Sequence, residues 1–283
     1  MQRALLCLVG LLAAVGWAAD PQPKPEGQQL GDEFIYRQFP LADGHLSCAH
    51  RAGPGPTLVL IPGTFGDARV FAELVKTLDK SLNLVLIENR GLGKSWPPPK
   101  EGSIEQCGRD AVLILDALKI DTFYVGGHSL GGMISLELGR SFPRRIRGII
   151  SMEGWTNWQA ARDAFGNDMK STLTPEQLRL QEEYRKDVLQ RWTPEQIKAF
   201  ATIWRQWDGT EFLKTTDLPI LELYGDRGQK PPADPRLLGI PNRKNIKVFW
   251  FEGASHSLLM ERPEGVARQT NEFIAQVEKA RGG

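Results

Sequence analysis

Short apolar runs alternate with amphipathic stretches along most of the chain. The runs have the length and composition of strands buried on both faces of a sheet. Between them, apolar positions recur every three or four residues, which is typical of helices that pack one face on a core. The predicted strands are Phe34–Tyr36, Leu46–Cys48, Thr57–Ile61, Leu82–Ile87, Phe123–Gly126, Gly148–Met152, Pro219–Tyr224 and Ile246–Phe251.

This alternation of strand and helix predicts an α/β fold. A β-α-β unit places its two strands parallel, with a right-handed connection between them. Repeated units therefore predict a mostly parallel central sheet with helices on both faces. The predicted helices of this core are residues 70–78, 104–118, 133–138 and 263–280.

The pattern changes between residues 155 and 216, which contain no convincing strand. Two helix starts occur there, Thr174-Pro175-Glu176-Gln177 and Thr193-Pro194-Glu195-Gln196. Each has threonine at the N-cap, proline at the first helical position and glutamine three residues after the threonine, which is a capping box. We therefore expect a helical cap over 155–216, inserted after the sixth strand into a core of residues 32–154 and 217–283.

The chain begins with a positive charge, a short apolar stretch and then small residues at Gly16 and Ala18. This order is typical of a secretion signal, so residues 1–18 are predicted to be removed. The apolar stretch is shorter than the roughly 20 residues that cross a bilayer, and no stable membrane anchor is expected. We expect a secreted or periplasmic protein with a flexible lead-in over 19–31.

Composition narrows the classes of partner. Lys and Arg number 35 against 34 Asp and Glu, a net charge of +1 with both signs interspersed, which argues against a nucleic-acid partner. No His and Cys cluster has the spacing of a metal site, and neither metal nor cofactor is expected. Cys48 and Cys107 form a disulfide or remain two separate thiols, and the sequence leaves both open, as it does the oligomeric state.

One serine lies inside a glycine-rich turn between a predicted strand and a predicted helix. Gly127-His128-Ser129-Leu130-Gly131 matches the pattern G-x-S-x-G. A serine on so sharp a turn has a strained backbone, and the residues two before and two after it must be small to avoid collision. The pattern predicts that Ser129 is a nucleophile, with a purely structural glycine turn as the alternative.

A serine hydroxyl needs a base that accepts its proton, and the base needs a carboxylate that orients it. Of the four histidines, His256 follows the last strand, at the same sheet edge as Ser129. Two carboxylates preserve the order serine, acid, histidine: Glu153 directly after the sixth strand, and Asp226 after the seventh. These residues alone leave both acids open.

Acyl transfer through a serine also needs two hydrogen-bond donors for the oxyanion of the tetrahedral intermediate. The backbone N–H of Leu130, directly after the serine, is the first candidate, aided by the helix N-terminus. The turn Pro62-Gly63-Thr64-Phe65-Gly66 follows the first long parallel strand, and the N–H of Thr64 is the second candidate. An ordinary glycine turn is the alternative reading of this segment.

In this order, the motifs resemble the α/β-hydrolase superfamily over nearly the full mature length. The resemblance implies the α/β-hydrolase fold, with the cap inserted after the sixth strand. It rests on Gly127-His128-Ser129-Leu130-Gly131, Pro62-Gly63-Thr64, Glu88-Asn89-Arg90-Gly91-Leu92-Gly93-Lys94-Ser95 and Gly253-Ala254-Ser255-His256.

The chain departs from the family pattern in two places. Pro62 stands where the family turn usually has histidine, and Gly228 stands where many members have the catalytic aspartate. The segment Ser151–Gly154 is similar to the haloalkane dehalogenase subgroup, whose acid follows the preceding strand. That likeness favours Glu153 over Asp226, but the subgroup's chemistry does not carry over because its elbow residue is aspartate.

These features lead us to expect a serine hydrolase that acts on a small-molecule carboxylic ester through a Ser129–His256–Glu153 triad. Trp155, Trp158 and Trp204 of the cap are candidate substrate-binding residues. Lipase, amidase or peptidase, carbon–carbon hydrolase and perhydrolase activities are alternatives within the same chemistry. A ligand-binding module without catalysis is the alternative from another class, since fold does not fix function.

Overall fold

The computed structural model describes residues 30–99, 102–166 and 173–282. The predicted signal, residues 1–18, lies outside the described residues, as does most of the predicted lead-in. Within the described ranges eight strands form one sheet in the order β1-β2-β4-β3-β5-β6-β7-β8. The strands are β1 Ile35–Leu41, β2 Gly44–Arg51, β3 Thr57–Ile61, β4 Asn83–Glu88, β5 Phe123–His128, β6 Ile146–Met152, β7 Ile220–Gly225 and β8 Ile246–Phe251.

The sheet is mostly parallel, as predicted. β2 pairs antiparallel with both β1 and β4, and every other neighbouring pair is parallel. β1 and β2 are longer than the short apolar runs that predicted them. β1 lies at the sheet edge with most of its side chains exposed or half-exposed, so polar residues continue the strand beyond its apolar start.

Helices cover both faces of the sheet and complete the α/β-hydrolase fold. α1 and α9 pack together over one apolar cluster, and α2 and α3 pack over the other. The core helices are α1 Ala72–Thr77, α2 Ile104–Ala117, α3 Leu130–Ser141, α8 Leu258–Glu261 and α9 Pro263–Gly282, and those between β6 and β7 are α4 Trp158–Phe165, α5 Pro175–Leu189, α6 Pro194–Phe200 and α7 Thr210–Thr215.

The helices between β6 and β7 occupy the place of the predicted cap. Both predicted capping boxes are present, at Thr174 before α5 and Thr193 before α6. Aromatic side chains fix this region to the core: Trp192 Nε1 donates to Gly91 O at 2.7 Å, and Trp207 Nε1 to Glu137 Oε2 at 2.9 Å. The division of the chain into a core and a separate cap remains a prediction.

Two further findings concern the described residues as a whole. None of their helices combines the length and apolar character needed to cross a membrane. Cys48 and Cys107 are both buried and free rather than joined, and burial raises the pKa of each thiol to about 12.

The carboxyl ends of β5 to β8 meet along one edge of the sheet. The register pairs His128 with Met152 and Gly225 with Phe251, the last residues of neighbouring strands. Parallel strands bring the loops that follow them together at that edge. Ser129, Glu153, Asp226 and His256 follow the ends of β5, β6, β7 and β8.

Candidate active site

Ser129 occupies a strained turn between β5 and α3. Its backbone has φ 54° and ψ −117°, a left-handed conformation that costs a non-glycine residue free energy. The flanking glycines make the turn possible. A β-carbon at Gly131 would lie 1.9 Å from Ile61 O, and one at Gly127 would lie 2.4 Å from the Gly131 carbonyl. The local packing therefore requires glycine at both positions.

The hydroxyl of Ser129 contacts the ring of His256. Ser129 Oγ lies 3.1 Å from His256 Nε2. His256 follows β8 and is held by its neighbours: Ser255 N and Oγ each donate to Glu261, at 2.6 Å, and His128 Nε2 donates to the His256 carbonyl at 2.7 Å. Burial, reinforced by the adjacent His256, lowers the pKa of His128 to about 4, so this second ring is neutral at neutral pH.

The other nitrogen of His256 contacts Glu153. Nδ1 lies 3.1 Å from Glu153 Oε2, and Glu153 is fully buried with φ 54°. Burial raises the pKa of Glu153, but the hydrogen bond with His256 and the charge of Arg227 outweigh it and lower the pKa. The carboxylate is therefore ionised at neutral pH and aligned with the ring that faces Ser129.

Asp226, the other acid considered from the sequence, is occupied elsewhere. Its Oδ1 accepts the N–H groups of Gly228 at 2.8 Å and Gly253 at 2.7 Å. It therefore joins the loop after β7 to the loop that carries His256. Of the two carboxylates, Glu153 contacts His256, whereas Asp226 links the two loops.

Two candidate backbone N–H groups belong to segments that adjoin Ser129. Leu130 is the first residue of α3, where an N–H has no carbonyl one turn earlier to accept its hydrogen bond. The turn with Thr64 at its centre is closed by Gly66 N to Gly63 O at 3.0 Å, which leaves the Thr64 N–H out of the turn's own bond. A β-carbon on Gly63 would lie 3.2 Å from Ser129 Cβ, so this turn directly adjoins the serine.

Three tryptophans form a cluster against His256. The Trp155 and His256 ring centroids are 5.4 Å apart, and Trp155 lies 5.5 Å from Trp158 and 5.8 Å from Trp204. Trp158 and Trp204 are 4.4 Å apart. Trp155 is buried, and its indole N–H has no hydrogen-bond partner within the described ranges. Phe165, Trp192, Phe200 and Trp207 of the same region belong to the apolar core.

Sequence reasoning missed Arg227, which contacts Glu153 directly. Arg227 Nη2 lies 2.6 Å from Oε2, and Nη1 lies 3.2 Å from Oε1. A lone arginine in a loop gave no signal of this role. A second missed group is Glu222, and here a signal existed, because a carboxylate interrupts the otherwise apolar strand β7. In the described part of the chain, no group of three or more His, Cys, Asp or Glu side chains could hold a metal ion.

Comparison with known proteins identifies one family, and it finds relatives that are similar to this chain over part of their length. The family model for the alpha/beta hydrolase fold matches residues 56–204. The putative carbamate hydrolase RutD of Azorhizobium caulinodans is 30% identical over 103 residues, which cover 36% of this chain and 39% of that protein. RutD of Agrobacterium fabrum is 29% identical over 102 residues, with the same coverage. The chain thus spans about two fifths of the length of these curated relatives.

Solved structures agree on the fold over most of the chain. A putative lipase from Acinetobacter baumannii has a TM-score of 0.71 at 17% identity, covering 88% of this chain and 93% of that one. An esterase from Thermogutta terrifontis has a TM-score of 0.67 at 19% identity, covering 86% and 98%. At such low identity these likenesses establish a shared fold.

Proposed function

The chain belongs to the alpha/beta hydrolase fold family, and we propose that it is a serine hydrolase that cleaves carboxylic esters through an acyl-enzyme on Ser129. One observation carries the proposal. Ser129 Oγ, His256 and Glu153 are linked by two contacts of 3.1 Å, one to each ring nitrogen. A nucleophile, a base and an orienting acid in that order are the components of acyl transfer.

In the first half of the reaction, Ser129 Oγ attacks the ester carbonyl carbon while its proton passes to His256 Nε2. Glu153 keeps the proton of His256 on Nδ1 and stabilises the imidazolium that forms. When the tetrahedral intermediate collapses, the bond to the alcohol oxygen breaks. His256 donates its proton to that oxygen. The alcohol then departs, and the acyl group remains bound to Ser129.

In the second half, water takes the place of the alcohol. His256 accepts a proton from water as the water oxygen attacks the acyl carbon, and it returns that proton to Ser129 Oγ when the ester bond to the serine breaks. The products are a carboxylic acid and the free enzyme. Each half passes through an oxyanion, for which we assign the N–H groups of Thr64 and Leu130 as donors.

The tryptophan cluster suggests the kind of group that the ester bears. Trp155 lies against the ring of His256, while Trp158 and Trp204 are partly exposed beside it. Aromatic side chains that are half exposed next to a reacting centre bind apolar or planar groups of a substrate. We therefore propose esters with an apolar or aromatic acyl or alcohol part.

The proposal is tested by hydrolysis of short-chain nitrophenyl esters by the wild type, Ser129→Ala and Ser141→Ala. Ser141 lies at the other end of α3 and serves as the matched control. We expect kcat to fall by about four decades or more in Ser129→Ala, as when a triad nucleophile is removed. Ser141→Ala should hydrolyse the esters at the wild-type rate. Undiminished turnover by folded Ser129→Ala would refute the proposal.

A second candidate substrate class is carbamates, because the matched relatives are named as putative carbamate hydrolases. The same serine attack applies to a carbamate carbonyl, so the classes are separated by comparing kcat/KM for an ester and a carbamate with the same leaving group. Labelling by a fluorophosphonate probe separates both from a ligand-binding module. A folded protein whose Ser129 does not react with the probe would favour the binding module.

A further inference from the structure

Arg227 is a buried cation in direct contact with the acid of the candidate site. Its side chain is 3% exposed, and its guanidinium contacts both oxygens of Glu153, at 2.6 and 3.2 Å. Nη1 also donates to Gly225 O at 2.5 Å, and the Arg227 backbone has φ 54°. Nothing in the reaction proposed above uses this residue. Its place and burial nevertheless require an explanation.

The four contacts of the Glu153 carboxylate explain why a cation lies there. Oε2 faces His256 Nδ1 and Arg227 Nη2, and Oε1 accepts Gly225 N at 2.6 Å besides facing Arg227 Nη1. A carboxylate taken out of water is costly unless it is paired and hydrogen-bonded. His256 cannot provide a permanent counter-charge, because it must cycle between neutral and charged forms. Arg227 stays charged throughout.

The guanidinium also contacts an aromatic ring. Its carbon lies 3.7 Å from the centre of the Phe165 ring, at the end of α4 between β6 and β7. Phe165 in turn packs against Tyr224 and Trp250, with ring centroids 6.0 and 6.3 Å apart. An arginine stacked on an aromatic ring has its plane defined, so its fork can hold both carboxylate oxygens in one orientation.

We propose that Arg227 is a positioning residue, which fixes Glu153 toward His256 and opposes protonation of that base. The proposal rests on the function assigned above, since it concerns how the same acid and base work. Arg227 and a protonated His256 would place two positive charges on one carboxylate, so Arg227 makes proton uptake by the Glu153–His256 pair less favourable. The pair therefore takes up its proton at a lower pH than it would without the arginine.

Other titratable groups around the pair do not replace this charge. His128 adjoins His256 and is neutral at neutral pH. Tyr224 and Glu222 belong to β7, and burial raises the pKa of each, so both are neutral there too. Arg227 is therefore the permanent cation among the described groups that face Glu153.

The test uses two variants. Arg227→Met removes both the positive charge and the guanidinium group that contacts both carboxylate oxygens, and Arg227→Lys keeps the positive charge but not the guanidinium group. Arg90→Met is the matched control, because Arg90 forms a similarly close pair with Asp110 (3.0 and 2.8 Å) that includes none of the candidate site residues. The measurements are kcat/KM for a nitrophenyl ester from pH 5 to 9 and, in a Ser129→Ala background, the NMR titration of the His256 ring.

Relative to the wild type, we expect Arg227→Met to lose kcat/KM at both pH values, with a loss at pH 5.5 that is roughly tenfold larger than the loss at pH 9. This magnitude is based on the usual effect of an arginine on the pKa of a neighbouring carboxylate. The midpoint of the imidazole titration should move to higher pH. Arg227→Lys should lie between this variant and the wild type, and Arg90→Met should match the wild-type profile. If Arg227→Met does not fold, Arg227→Gln, which also removes the charge, provides the same two measurements.

A uniform loss of kcat/KM at every pH, with an unmoved titration midpoint, would overturn the proposal and leave Arg227 a structural residue. This outcome is distinguishable from a failure of the proposed function. Turnover by Ser129→Ala would refute serine catalysis, whereas the imidazole titration reports on Arg227 without any turnover.

Discussion

Glu222 provides a quantitative prediction, because its protonation follows from geometry. It is fully buried in β7, with its Oε2 3.1 Å from the Tyr224 hydroxyl. The same hydroxyl lies 2.5 Å from Gly154 O. A hydroxyl has one proton, and a carbonyl can only accept, so the Tyr224 proton belongs to Gly154 O. The second contact then needs a proton on Glu222, and we predict a neutral carboxyl in the folded protein at neutral pH.

The magnitude follows from the pKa. Burial raises the pKa of Glu222 from 4.5 to about 8. Between these values the folded state retains a proton that the unfolded state has lost, so the free energy of unfolding falls as pH rises. At about 1.4 kcal/mol per pH unit, the loss is on the order of 5 kcal/mol. The contribution is fully present below pH 4.5 and absent above about pH 8.

Glu222→Gln removes this titration with little change in shape. The amide keeps a donor for the Tyr224 hydroxyl and carries no charge at any pH. We expect its free energy of unfolding to rise relative to the wild type from pH 5 to pH 8 and to become constant above that. Urea unfolding followed by tryptophan fluorescence at each pH unit from 5 to 9 measures the difference. Other groups contribute equally to both proteins, so the difference isolates Glu222.

Glu252→Gln is the matched control, because Glu252 is exposed and paired with Lys230 at the surface. Its stability profile should run parallel to that of the wild type. Parallel profiles for Glu222→Gln and the wild type from pH 5 to 9 would refute the reasoning, since they would mean that folding does not change the proton occupancy of Glu222.

Three further predictions concern the site and the N-terminus. Glu153→Gln should lower kcat on a nitrophenyl ester by about two to four decades, whereas Asp226→Asn should keep kcat within about tenfold, as steady-state kinetics will check. Gly131→Ala should lower the free energy of unfolding, measured with a chemical denaturant, by at least about 2 kcal/mol, because its β-carbon would collide with a carbonyl of β3. Gly108→Ala in α2 is the control: its β-carbon would make ordinary contacts, so the substitution should be neutral or slightly stabilising. Export should remove residues 1–18, which N-terminal sequencing of the secreted or periplasmic protein will show; an intact start there contradicts the signal.

The sequence predicted the sheet and the elbow because both depend on local patterns. A run of apolar residues marks a buried strand wherever it lies, and a serine between glycines marks a turn. β1 was predicted too short because an edge strand needs no apolar run, so its polar continuation resembles a loop. The parallel strands, in contrast, are buried, and their apolar runs can be recognised in the sequence alone.

The choice between Glu153 and Asp226 could not be made from the residues alone, since both follow strands at the same sheet edge. It depends on which side chain faces the histidine, and that is set by hydrogen bonds across loops. Asp226 faces the N–H groups of its own loop and of Gly253. Arg227 could not be predicted for the same reason, because its partner is 74 residues away in the chain.

The strand order also bears on the length of the Glu153 side chain. The strand order places β7 between β6, which Glu153 follows, and β8, which precedes His256. The Glu153 N–H donates to Leu223 O of β7 at 2.8 Å, and its Oε1 accepts the N–H of Gly225 at the end of the same strand at 2.6 Å. The side chain thus extends across the end of β7 before it meets the imidazole. Aspartate is one methylene shorter, so we expect Glu153→Asp to lengthen the 3.1 Å contact between this carboxylate and His256 Nδ1.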